Sequence, residues 1–86
     1  MLKMLYYNSK KKMYGGMYMS ISYNKLWKLL IDKNINKTQL CEFAGISTNV
    51  MAKLGRNETV QLENLAKICK VLDCNIEDIV EFIKEG

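Results

Sequence analysis

Between residues 21 and 79 one arrangement occurs five times: an uncharged polar residue directly follows an apolar one and stands four positions before another. Ser22 has Ile21 and Leu26, Asn36 has Ile35 and Leu40, and Ser47 has Ile46 and Met51. Gln61, a poorer cap, has Val60 and Leu65, and Asn75 has Cys74 and Ile79. A helix starts this way because a polar side chain accepts from the otherwise unpaired first amides. The flanking apolar pair closes over that turn. Gln39, three residues after Asn36, completes a capping box. The pattern predicts helices near 23–33, 37–44, 48–54, 62–72 and 76–81.

Apolar spacing agrees with these starts. Tyr23, Leu26, Trp27 and Leu30 make a stripe at helical period in the first helix. Leu40, Phe43 and Ala44 do so in the second, and Leu62, Leu65, Ala66, Cys69 and Leu72 in the fourth. The chain has no proline, and no alternating run is long enough to build a sheet. The expected body is all-α, over residues 21–86. Residues 1–20, "MLKMLYYNSKKKMYGGMYMS", lack the helical period and form a separate basic arm, either flexible or a short strand. Alternation of Met17, Met19 and Ile21 would suit a strand beside "VEFI" at 80–83. Any of Met4, Met13, Met17 or Met19 could be the true start.

Eighty-six residues allow one small core. No apolar run reaches the ~18 residues that a membrane span needs, and "KKK" at 10–12 interrupts any signal-peptide core. A cytoplasmic location is expected. Cys41, Cys69 and Cys74 form no C-x-x-C pair and there is no histidine, so neither a four-ligand zinc site nor a His-assisted nucleophile can be assembled. The cysteines read as small apolar residues kept reduced. No Gly-rich phosphate loop occurs either; catalytic residues, metal and cofactor are all expected to be none. Charge is polarised: residues 1–22 carry +4, residues 23–56 carry +4 and residues 57–86 carry −4. A polyanion suits the first part and a different contact the last.

The second and third helices, joined at Gly45, have the layout of a helix-turn-helix. Such a turn needs a residue that adopts a left-handed backbone, which Gly45 supplies. Cys41, one turn earlier, is small enough for the helices to approach. Phe43, Ile46, Met51 and Leu54 are expected to hold the angle. Ser47, Thr48, Asn49 and Lys53 remain as an exposed polar set, with Ala52 small among them and Val50 either packed at the rim or free to touch a thymine methyl.

At these residues the chain resembles the Cro and lambda-repressor-like (XRE-type) helix-turn-helix regulators. The resemblance spans about residues 21–81: "NKTQLCEFAGISTNVMAKL" matches the motif, with Cys41 where alanine is commoner. "LWKLLIDKNI" and "LENLAKICKVLDCNIEDI" look like the first, fourth and fifth helices. "GRN" at 55–57 replaces the commoner Glu-x-Gly, leaving Asn57 as the left-handed residue.

The resemblance implies a compact five-helix DNA-binding domain and a regulator of transcription, most simply a repressor. Ser47, Thr48, Asn49 and Lys53 would meet bases in the major groove, with Asn49 suited to adenine. Asn36, Lys37 and Gln39, at the start of helix 2, would hold phosphate, as would Arg56 and Asn57 beyond the recognition helix. Double-stranded DNA is the expected partner. A homodimer through the C-terminal helices is expected too, drawing on Ile68, Val71, Phe82 and Ile83. No membrane or small-molecule effector is indicated. The alternative is a protein-interaction module of the same fold, such as an antitoxin or accessory subunit. A helix-3 surface that carries Lys53 and Arg56, with only Glu42 nearby, favours DNA.

Overall fold

The computed structural model describes residues 12–14 and 17–85. Among these, strands β1 (Lys12–Tyr14) and β2 (Met17–Ser22) lead into helices α1 (Asn24–Asp32), α2 (Lys37–Ala44), α3 (Thr48–Gly55) and α4 (Leu62–Leu72). A single 3-10 turn (Ile76–Asp78) and strand β3 (Glu81–Glu85) follow. The expected arm falls partly outside the described residues, at 1–11 and 15–16.

All four helices of the described chain end in the same way. Asn34 (φ 58°), Gly45 (φ 69°), Asn57 (φ 56°) and Asp73 (φ 53°) are left-handed. The residue after each donates its N–H back across six residues. Ile35 donates to the Leu30 carbonyl at 2.9 Å, Ile46 to Cys41 at 3.2 Å, Glu58 to Lys53 at 2.9 Å and Cys74 to Cys69 at 3.0 Å. This is the Schellman closure, which satisfies the last carbonyls of a helix and frequently sets the two bonded residues' side chains against each other. A chain without proline thus stops its helices with left-handed residues. Gly45 and Asn57 agree with expectation; Asn34 and Asp73 had no distinct signal.

The starts differ more. Asn36 and Gln39 make the expected box, with the Gln39 N–H donating to Asn36 Oδ1 at 2.7 Å and the Asn36 N–H to Gln39 Oε1 at 3.0 Å. Ser47 Oγ accepts from the Val50 N–H at 3.1 Å. Ser22 is not the cap of α1: that position is Tyr23. Ser22 is instead buried at the end of β2, where its Oγ accepts from the Asn24 N–H at 3.2 Å. Gln61 makes no side-chain cap bond.

The core joins Tyr23, Leu26 and Leu30 of the α1 region to Leu40, Ala44 and Ile46, Leu54, the α4 residues Leu65, Ile68 and Leu72, and Ile79. Three expectations are corrected. Phe43 is 57% exposed, because Leu40 and Ala44 already fill the face that α2 turns toward α4. On α4 the buried line is Leu65, Ile68 and Leu72, leaving Leu62 68% exposed and Ala66 exposed. Ile68 is therefore core, not a dimer contact.

The fifth helix is also corrected. Asp78 accepts from the Asn75 N–H at 2.9 Å, which starts a turn, but only 76–78 are helical. Beyond buried Ile79, residues 81–85 pair with β2, Ser20 facing Ile83 and Ile21 facing Phe82. The backbone groups of β2 need partners, and Ile79, Val80, Phe82 and Ile83, β-branched or aromatic, suit a strand better than a helix. The sheet order is β1-β2-β3, antiparallel throughout. The domain is thus mostly helical with a small sheet, not all-α.

Candidate nucleic-acid interface

The α2–turn–α3 corner is held from inside and polar outside. Leu40, Ala44, Ile46 and Leu54 are buried beneath it. Gly45 turns the chain, and a Cβ there would meet nothing within 4 Å. Its left-handed φ is the requirement, since an L side chain costs about 1–2 kcal/mol in that conformation.

With Leu54 turned inward and Val50 and Met51 half-buried, α3 leaves Ser47, Thr48, Asn49 and Ala52 exposed and Lys53 half-exposed. The four expected base-reading residues are thus all solvent-accessible, Ser47 at the cap of α3 and the other three within it. Ser47 already uses an oxygen lone pair for its cap, while its hydroxyl proton stays available.

The residues expected to bind phosphate divide into three kinds. Lys37 places its ammonium 4.4 Å from the Trp27 ring centroid, a cation–π contact that restrains the charge beside the start of α2. Asn36, Gln39 and Asn57 each commit a carbonyl oxygen to the fold: to each other in the first two, and in Asn57 to the Tyr23 N–H at 3.2 Å. A backbone N–H can donate only to the amide oxygen, so the three NH₂ groups keep donors outside these bonds. Arg56 is paired with Glu58, Nε to Oε2 at 2.8 Å and Nη2 to Oε1 at 3.4 Å. That hydrogen bond, and then the carboxylate charge, raise the Arg56 pKa.

Sequence reading missed the tie behind this loop. The Tyr23 hydroxyl donates to the Glu58 carbonyl at 2.7 Å while its own N–H reaches Asn57. One buried tyrosine thus fixes the start of α1 against the loop after α3. Burial raises its pKa above 10.0. No local pattern marks a contact across 34 or 35 residues.

A helix-turn-helix packed in this way defines a class. The sequence model of the Cro/C1-type HTH DNA-binding domain matches residues 25–85. The chain belongs to that family and is a DNA-binding regulator of the XRE-like kind. It is also similar to the transcriptional regulator VanUg, whose crystal structure (form II) has 47% sequence identity to it and a TM-score of 0.77. The match covers 86% of this chain and 97% of that one. Comparison with curated proteins gives no significant match. Among the described residues, no helix is long and apolar enough to cross a membrane, and no three metal-ligating side chains cluster.

Proposed function

We propose that the protein is a sequence-specific repressor of transcription in the cytoplasm that inserts α3 into the major groove of double-stranded DNA. Ser47, Thr48, Asn49 and Lys53 read base edges. Asn49 makes a bidentate contact to adenine, and Lys53 meets guanine or a phosphate. The flanks hold the backbone through the NH₂ groups of Asn36, Gln39 and Asn57 and the cations of Lys37 and Arg56. The amides of Lys37 and Thr38, in the first turn of α2, have no intrahelical acceptor and aim the same way.

The observation that carries this reading is the division of labour in the three amide side chains. Their oxygens hold the corner, and their remaining groups are donors, the type a phosphate oxygen requires.

One α3 reads only a few base pairs, so specificity calls for two copies on half-sites about 34 Å apart. The dimer surface lies at the C-terminal strand, since Ile68 is core. Phe82 and Leu62, 60% and 68% exposed, border an apolar groove with Ile21, Val60, Ile76 and Val80. Among the described residues, β3 beside them is an edge strand of the sheet. A second copy related by a two-fold axis covers both.

Selection of bound sequences from a random duplex pool tests the function and the dimer together. A palindromic motif with half-sites one helical turn apart is expected. Recovery of no motif, with binding that ignores sequence, would reject the reading.

A further inference from the structure

The four Schellman closures bring together the pairs Leu30/Ile35, Cys41/Ile46, Lys53/Glu58 and Cys69/Cys74. In this motif a side-chain contact between the two residues joined by the long backbone bond frequently accompanies the closure. Two of the pairs suit such a contact, with an apolar residue on each side or with a small thiol against isoleucine. At the end of α4 both members are cysteine.

From this geometry we propose that Cys69 and Cys74 are a reversible dithiol site, which closes to a disulfide when a low-molecular-weight disulfide reaches it. Three observations support the site. Asp73, left-handed at φ 53°, folds the chain so that the Cys74 N–H lies 3.0 Å from the Cys69 carbonyl oxygen. Both cysteines are free and half-buried, so a small reagent has access. Burial first, then Cys69, push the Cys74 thiol up to about 11. Cys74 therefore stays protonated at neutral pH, which suits it to the second, resolving step.

The chemistry balances in two exchanges. The Cys69 thiolate attacks one sulfur of the small disulfide, forming a mixed disulfide and releasing one small thiolate. Cys74 then loses its proton to solvent and attacks Cys69 Sγ, expelling the second. Two protein S–H groups are oxidised, and one small disulfide is reduced to two thiols. A bridge that forms and reverses in this way is the kind that occurs in a reducing compartment. The packed corner at α2 and α3 contains neither residue.

The three cysteines fall on different tryptic peptides: Cys41 in 38–53, Cys69 in 68–70 and Cys74 in 71–84. The full chain would be incubated with oxidised glutathione, alkylated without reduction and mapped. The expected result is a fall from three titratable thiols to one, a link between peptides 68–70 and 71–84, free Cys41, and recovery of three thiols with dithiothreitol. Retention of all three thiols would overturn the proposal. So would a persistent glutathione adduct, a link through Cys41, or a bridge between two chains. Cys74→Ser, with its closing thiol gone, should stop at the glutathione adduct on Cys69. An unmodified Cys69 in that variant would refute the order of attack.

Discussion

Asn57 has two separable jobs, and two substitutions divide them. Its backbone is left-handed at φ 56°, and its Oδ1 holds the Tyr23 N–H at 3.2 Å. Asn57→Gly keeps the backbone freedom and loses the bond, a loss of about 1–2 kcal/mol for a part-buried amide. Asn57→Ala loses the bond and also forces a Cβ into the left-handed region, which adds about 1–2 kcal/mol. The totals are about 1–2 and about 2–4 kcal/mol, large against a stability of about 5–15 kcal/mol for a small domain. Urea titration reads both as a shift of midpoint with little change in slope. Both variants also remove the same NH₂ donor, so the folded fractions should lose equal affinity for duplex DNA. Equal destabilisation of the two variants would refute the conformational argument. Unequal DNA losses at matched folding would refute the donor argument.

Tyr23→Phe removes the 2.7 Å bond to the Glu58 carbonyl and should cost about 1 kcal/mol. Because burial raises the Tyr23 pKa above 10.0, its contribution is complete below the unfolded value and lost as pH rises through the folded one. Unfolding titrations above pH ~10 should therefore fall less steeply for Tyr23→Phe than for the natural chain. Lys37→Gln should weaken binding to specific and random duplexes alike and reduce the salt slope by about one unit; an unchanged slope removes Lys37 from the backbone contacts. Glu58→Gln releases Arg56 from its carboxylate partner and should raise the salt slope by about one unit with tighter binding. A slope that stays put in that titration would show that Arg56 does not reach phosphate.

What was legible in the sequence was whatever a few neighbouring residues decide. Gly45, the Asn36–Gln39 box, the Ser47 cap and the left-handed Asn57 each follow from the chemistry of one turn. Helical periodicity located the stripes of α2 and α4 but not their azimuth. Phe43 and Leu62 fit the period as well as Ile68 does, and only the neighbouring helices choose between them. The end of the chain misled for a similar reason. Asn75 and Asp78 start a turn, while the edge of β2, sixty residues away, draws 81–85 into a strand. The alternation at 17–21 and 80–83 hinted at that pairing. The exposure of the expected site residues was more legible than the core because the corner that carries them has local requirements. The tie from Tyr23 to Asn57 and Glu58 had no local mark.

If α3 reads bases while its flanks hold the backbone, removing the Asn49 amide should affect base preference and leave backbone binding intact. Affinities of the natural chain and Asn49→Ala would be measured on the selected duplex, on its single-base variants and on random duplex. The expected result is a loss of about 1–3 kcal/mol on the selected duplex, relaxed preference at one adenine and little change on random DNA. Equal losses on selected and random duplexes, with preference at every position intact, would contradict it.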